Sequence, residues 1–387
     1  MKITIVSGFF LPIPPLAGGA TEKTWYRLAQ VFAARGHEIT IVSRTWEGLP
    51  DNSVSGGIRH LRLTGYDHSP NLRKNLWLDL KWSLRVYRHL PKADIVVVNS
   101  VALPVWLGTI RRSTGKVVIM TGRVPKGQYR WYRKISMVLA ASTHIRSAVI
   151  AENPRLTKVT DVWGYPIDWQ LMSAQSSPYA TTDLNHSREV TIGYIGRIHR
   201  EKGITVLSEA VSLLCKRDGL PPWNVLVCGP TEISRGGSGD AYANEIKTSM
   251  TESIGPSRVR WMPPQFDGAK LAAVYQSLDV FCLPSLSENG ETFGVAAVEA
   301  MAAGAATVVS QLSCFQDFAE NNRTALVFDH RSIRAAEDLA AALERLIRDP
   351  ELRQRVARES QNEVARFDFQ TYADSLLQNF DRLISSD

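Results

Sequence analysis

The feature that most constrains this chain is an alternation of short β-branched runs with amphipathic helical stretches, made twice. KITIVSGF, EITIVSR, DIVVVN and KVVIMTG read as strands in the first series, with TEKTWYRLAQVFAARGH as a helix that closes at Gly36. The runs are continuous rather than alternating, as expected of parallel strands covered on both faces. The polar, aperiodic SAQSSPYATTDLNHSRE then breaks the pattern and reads as a linker. A second series follows, from VTIGYIG and NVLVCGP through DVFCLPS to ATVVS, with GVAAVEAMAAG as a helix. Predicted helices begin near Ser332, with breaks at Asp349–Pro350 and RFDFQ. The fold class is therefore α/β, with two Rossmann-like domains facing across a cleft. A length of 387 residues, more than one core usually organises, agrees with two domains.

Composition narrows the class. Apolar residues at 44% and charged residues at 21% are ordinary for a globular chain. No apolar run approaches the roughly 20 residues that cross a bilayer. The opening MKITIVSGFFLPIPP reads as a buried strand rather than as a leader. The four cysteines have no CxxC spacing and read as free thiols in a reducing cytoplasm. Charge is unevenly placed. Residues 1–170 hold 24 Lys and Arg against 10 Asp and Glu, and the remainder has an acidic excess. A basic first half suggests an anionic partner. Basic stretches with interleaved aromatics, NLRKNLWLDLKWSLRVYRHL and VPKGQYRWYRKI, suit an anionic membrane surface. They also suit an ordinary helix with a solvated basic face. No nucleic-acid-binding motif is present.

Three segments carry candidate chemistry. In ENGETFGVAAVEAMAAG a loop ending in Phe293 and Gly294 opens a helix, which presents backbone amides to an anion. Glu291 and Glu299 flank that helix start, at most about 12 Å apart by helical rise, a span comparable to a nucleotide-sugar. Carboxylates accept hydrogen bonds from vicinal hydroxyls. The plain alternative is a surface acid and a capping acid. In IGRIHREKGI, Arg197 and Lys202 follow a strand end and could neutralise a diphosphate, or form a solvated turn. In LPIPPLAGGATEKT, Gly18 and Gly19 precede a helix without completing a dinucleotide fingerprint. No Asp-x-Asp pair or His/Cys cluster suggests a metal site, and no cofactor is expected.

Together GGATE, GRIHREKG and ETFGVAAVEAMAAG, with VLVCGP, LAAVYQSLDVFCLPS and RFDFQTYADSLLQ, resemble the retaining GT-B glycosyltransferases of family four (glycosyl transferases group 1) over nearly the whole chain. That resemblance implies an acceptor-binding domain over residues 1–170, a linker over 171–188 and a nucleotide-sugar-binding domain over 189–365. It further implies that a C-terminal helix, residues 366–387, crosses back to the first domain. Arg197 and Lys202 would bind the donor diphosphate, and Glu291 the donor hexose. Phe293, Gly294 and Val295 would offer amides beside Thr292, and Glu299 would hold the ribose. Gly18 and Gly19 would approach the diphosphate, and the base would rest near Trp261, Pro263 and Pro264.

One departure stands out. The family's first-domain histidine is missing near VVVNSVA and VIMTGRVPKGQ, where Asn99, Ser100, Arg123 and Lys126 stand instead. Either Arg123 or Lys126 would take its place or bind an acidic group. The implied reaction is retaining, metal-independent transfer of a hexose from a nucleoside-diphosphate sugar to a glycan or lipid-linked glycan. It would serve surface polysaccharide assembly, with Glu291, Arg197, Lys202 and Arg123 at the reacting centre. The setting would be cytoplasmic, peripheral to the inner face of the membrane. A nucleotide-sugar epimerase and a non-catalytic nucleotide-sugar-binding subunit are the competing readings.

Overall fold

The computed structural model describes residues 1–17, 19–107, 114–174 and 189–385. It divides into two compact units, one of residues 1–166 with 369–387 and one of residues 167–368.

The first unit contains β1 (Lys2–Val6), α1 (Ala20–Ala34), β2 (Glu38–Arg44), β3 (Asn52–Ser55), β4 (Ile58–Leu63), α2 (Leu72–His89), β5 (Ile95–Val98) and α3 (Leu103–Leu107). It continues with β6 (Lys116–Thr121), β7 (Met137–Ala140), α4 (Thr143–Glu152) and β8 (Thr160–Val162). Its eight strands run in the order β3-β4-β2-β1-β5-β6-β7-β8. All neighbours are parallel except β3 and β4, a hairpin at the edge. The central strands are buried along their length because IVVV and ITIV place β-branched side chains on both faces.

The second unit holds α5 (Trp169–Ser173), β9 (Val190–Ile195), α6 (Ile204–Cys215), β10 (Trp223–Cys228), α7 (Asp240–Ile254), β11 (Val259–Met262) and α8 (Gly268–Gln276). After these come β12 (Val280–Leu283), α9 (Val295–Ala302), β13 (Ala306–Ser310), β14 (Leu326–Phe328), α10 (Ala335–Arg348) and α11 (Pro350–Val364). Six parallel strands run β11-β10-β9-β12-β13-β14. In both sheets the strand order reverses beside the first strand of the unit, β1 or β9. Loops part there beyond the carboxyl ends, the usual ligand position in open α/β sheets.

The last helix, α12 (Phe369–Ser385), belongs to the first unit. Tyr372, Ala373, Leu376, Leu377 and Phe380 lie on one face and join the core made by Trp25, Leu28 and Phe32 of α1. An ion pair from Arg35 to Asp374 and a 3.1 Å bond from Arg35 to Gln370 fasten its rim. Residues 167–170, grouped by sequence with the first domain, pack instead with the second. Gln276 of α8 donates to the carbonyls of Leu171 and Met172, at 3.2 and 2.8 Å, which draws α5 onto that unit. The expected linker, residues 171–188, lies outside the described residues from 175 onward. All four cysteines are free, with Cys228, Cys282 and Cys314 buried.

Candidate functional site

The site of the second unit grows from the loops that follow β9 and β12. Backbone contacts join these loops. The amide of Leu286 donates to Glu201 O at 2.8 Å. Gly203 has φ +67°, and a Cβ there would fall 1.9 Å from Pro284 O. A Cβ on Gly290 would fall 2.6 Å from a Glu201 carboxylate oxygen. Gly203 is thus required where one loop lies against the other.

Charged side chains complete the junction. Lys202 Nζ is 2.6 Å from Glu291 Oε2 and 3.3 Å from Gly290 O, to which it also donates. Both side chains are largely withdrawn from solvent, with 10% and 14% exposed. Ser285 at the end of β12 donates its hydroxyl to the same Oε2 at 3.1 Å. Its carbonyl in turn accepts from Ser310. Removing one partner of so shielded a pair costs about 3–5 kcal/mol. Arg197 donates to Glu201 Oε1 at 2.7 Å and to Gly236 O at 2.8 Å. Tyr194 Oη donates to Arg197 O at 2.7 Å. Burial and the nearby Glu291 charge hold the Tyr194 phenol well above its ordinary range.

The second part of the site is the start of α9. Gly294, at φ +92°, is the N-cap. A Cβ on it would meet the Phe315 ring at 2.5 Å. Phe293 is buried against Phe318 and Phe367, with ring centroids 5.4 and 5.1 Å away. This aromatic seat fixes where the helix begins. The amides of Ala297 and Val298 already donate to Gly294 O, at 2.9 and 3.2 Å, which leaves those of Val295 and Ala296 at the helix start to favour an anion. One turn on, Glu299 Oε2 accepts a 3.0 Å bond from Tyr275 Oη. Burial, then the Glu299 charge, raises the Tyr275 pKa well above normal. Thr292 lies in the loop ahead of Gly294. Pro263 and Pro264 follow β11, where the carbonyl of Pro263 accepts from Cys228 Sγ at 3.3 Å. Trp261 is within β11, its indole nitrogen buried.

Arg197, Lys202, Glu291 and Glu299 all lie in this unit. Arg197 and Lys202, expected to face a phosphate, are each already paired with a carboxylate. Glu201, Ser285 and Tyr275 were not singled out by sequence reasoning. The i, i+4 spacing of Arg197 and Glu201 was the available signal for one of them.

In the first unit, Gly18 lies outside the described residues. Gly19 sits at the start of α1 with φ +94°, and a Cβ there would fall 2.2 Å from Glu22 Oε2. Glu22 is buried, which raises its pKa, while its own backbone amide and Arg123 oppose that rise. Tyr165 is raised to about 12 by burial, with Arg123 lowering it and Glu22 raising it. Glu22, Arg123 and Tyr165 thus form an electrostatic cluster beside Gly19 and Gly122. Sequence reasoning missed Glu22 and Tyr165. Asn99, after β5, donates to Val6 O at 3.2 Å, and Ser100 is buried. Lys126 is exposed, its amide bonded to Gln128 Oε1 at 2.7 Å. Among the described residues no three His, Cys, Asp or Glu side chains are grouped as a metal site.

Two Rossmann-like sheets, each with its strand order reversing beside the unit's first strand, define a doubly wound class of α/β protein. Family models agree and specify it. Residues 17–160 match Glycosyltransferase Family 4, and residues 182–363 match Glycosyl transferases group 1. The chain belongs to the family 4 glycosyltransferases.

Among curated relatives, the D-inositol 3-phosphate glycosyltransferase of Rhodococcus opacus is 32% identical over 196 residues, 50% of this chain and 41% of that protein. The chain thus spans less than half the length of the relatives it matches first. The phosphatidyl-myo-inositol mannosyltransferase of Mycolicibacterium smegmatis is 25% identical, over 98% of this chain and 94% of that protein. Among solved structures, sucrose-phosphate synthase from Thermosynechococcus elongatus superposes with TM-score 0.77 at 20% identity, covering 100% of both chains. Anabaena Alr3699/HepE in complex with UDP-glucose superposes with TM-score 0.70 at 18% identity, covering 99% of this chain and 100% of that one. These likenesses establish the GT-B fold.

Proposed function

We propose that this protein transfers a hexose from a nucleoside-diphosphate sugar to a glycan or lipid-linked glycan, with retention at the anomeric carbon and without a metal. The observation that carries the reading is the shielded Lys202–Glu291 pair beside the N-terminus of α9, with Glu299 one turn inside that helix. A diphosphate brings two negative charges or more to the α9 amides, and Lys202 can exchange Glu291 for phosphate oxygen. Glu291, still held by Ser285, then becomes free to accept from sugar hydroxyls. Cations and amides arranged in advance stabilise the leaving diphosphate as charge develops. Glu299 accepts the ribose hydroxyls, its orientation set by Tyr275. No side chain in this arrangement is an obvious nucleophile. Attack of the acceptor from the leaving-group face, with a phosphate oxygen taking its proton, is the route that fits.

Two findings support the donor class: the family membership, and a fold shared with a protein whose structure contains UDP-glucose. The inositol phosphate and phosphatidylinositol in the names of the curated relatives support a phosphorylated or lipid-linked acceptor. In the first unit, Arg123 follows β6, in a segment that lacks the family's histidine, and it is the group we assign to acceptor or donor contact there.

The test is release of nucleoside diphosphate from a panel of nucleotide-sugars, in chelator, by wild type and Glu291→Ala. Slow release from one donor, lost by a factor of about a hundred or more in the variant, is expected for a transition-state contact. Release that requires added metal, or is unchanged in Glu291→Ala, contradicts the reading.

A further inference from the structure

Helix α2 has two apolar faces, and the core consumes only one. Leu78, Trp82 and Val86 point inward, and Trp82 donates its indole N–H to Ser7 O at 3.1 Å. Leu72, Leu76, Trp77 and Leu84 lie outside, with 58%, 48%, 54% and 39% of their surface exposed. Exposed large side chains gathered on one helix, rather than scattered singly, call for a partner.

The charges of that outer surface have one sign. Arg73, Lys74, Lys81 and Arg88 are exposed, and Lys81 Nζ rests 3.4 Å over the Trp77 ring. The only acid of α2 is Asp79, which is buried and accepts from the amides of Val101 and Ala102 at 3.1 and 2.7 Å. The carbonyl of the same Val101 accepts from Tyr132 Oη at 2.8 Å. Tyr132 follows the short turn Gln128–Trp131, whose Trp131 is 65% exposed and flanked by exposed Arg130 and Arg133. Asn153 braces this turn through the carbonyls of Tyr129 and Tyr132. A second tryptophan between cations is therefore fixed to the same loop as α2.

We infer that the outer face of α2, with the Trp131 turn, docks on an anionic phospholipid bilayer. Leucines between cations suit the boundary of acyl chain and headgroup, where apolar side chains sink and Lys and Arg stay at the phosphates. Tryptophan favours the same depth. A base-stacking surface would need aromatics where α2 carries three leucines. Each cation adds attraction to an anionic leaflet, and salt screens it. Among the described residues no helix is long and apolar enough to span a membrane, so contact would be peripheral. This inference stands apart from the transfer reaction.

The test is co-sedimentation of the full chain with vesicles of phosphatidylcholine alone or mixed with phosphatidylglycerol. Binding at low salt is expected to be about tenfold stronger to the anionic vesicles, and to fall as salt rises. The exposed triple variant Leu76→Ser/Trp77→Ser/Trp131→Ser should lose binding while keeping its melting transition. Lys74→Glu/Lys81→Glu should lose the preference for anionic lipid. Absence of sedimentation at low salt, or equal sedimentation of the triple variant, overturns the proposal. Should the triple variant not fold, acyl-brominated lipid decides on the wild type. Quenching of tryptophan emission is expected, and its absence overturns the inference.

Discussion

The two units share one plan and secure their strand-end loops by different means. In the second unit, the loops after β9 and β12 are bound by the Lys202–Glu291 ion pair, by Gly203 against Pro284 O and by the aromatic seat around Gly294. In the first unit, the loop after β5 is held by a buried carboxylate, Asp79, through the amides of Val101 and Ala102, with Tyr132 Oη on the carbonyl of Val101. The comparison separates two ways to hold a loop. Steric contact and an ion pair tolerate little change but make the geometry stiff. A buried acid makes part of the geometry depend on protonation.

The largest effect expected of this comparison is on glycine substitution. Gly203→Ala would combine a left-handed backbone with a backbone collision, at a cost of about 3 kcal/mol or more. Gly36 of the first unit has φ +83° with nothing within 4 Å of a Cβ. Gly36→Ala should therefore cost only about 1 kcal/mol. Urea unfolding of the two variants measures this, and equal losses would break the distinction.

Next is pH. Burial raises Asp79 from 3.8 to about 6, against the two amide bonds that lower it. The folded state then holds a proton that the unfolded chain has released. Its contribution to stability is complete below pH 3.8 and is lost as pH rises through about 6. A shift of this size corresponds to about 3 kcal/mol. Asp79→Asn keeps an amide acceptor without the charge. The variant should lose the fall in stability across that window, as seen by thermal melting at several pH values. A variant whose profile matches wild type would remove Asp79 from the account.

Smallest is Tyr275→Phe, which deletes one hydrogen bond to Glu299 worth about 1 kcal/mol. Binding of a nucleoside diphosphate should weaken about fivefold by calorimetry, with the fold intact. An unchanged affinity would separate Tyr275 from the ribose subsite.

Legibility followed the same divide. Buried parallel strands such as IVVV and ATVVS were readable because both faces are apolar. The edge hairpin β3–β4 was not, since NSVS carries no such run. In the second unit, Arg197, Lys202, Glu291 and Glu299 stood out because GRIHREKG and ETFGVAAVE are local segments that carry the family resemblance. Tyr275 and Ser285 were invisible since they meet Glu299 and Glu291 only through folding. Glu22 and Tyr165 were missed likewise, as 143 positions separate residues that share one electrostatic cluster. The pairing of Lys202 with Glu291 also could not be read, because the two meet only through folding, whereas the i, i+4 spacing of Arg197 and Glu201 was an available signal.

Thermal stabilisation by UDP, GDP, ADP, dTDP and CMP tests the central claim, that the second unit is built for a nucleoside diphosphate. Ligand binding to the folded state raises its melting temperature without an acceptor. The account predicts a clear rise with one diphosphate, lost in Glu299→Ala and Lys202→Ala. No rise with any of them, or a rise that survives both substitutions, would contradict it.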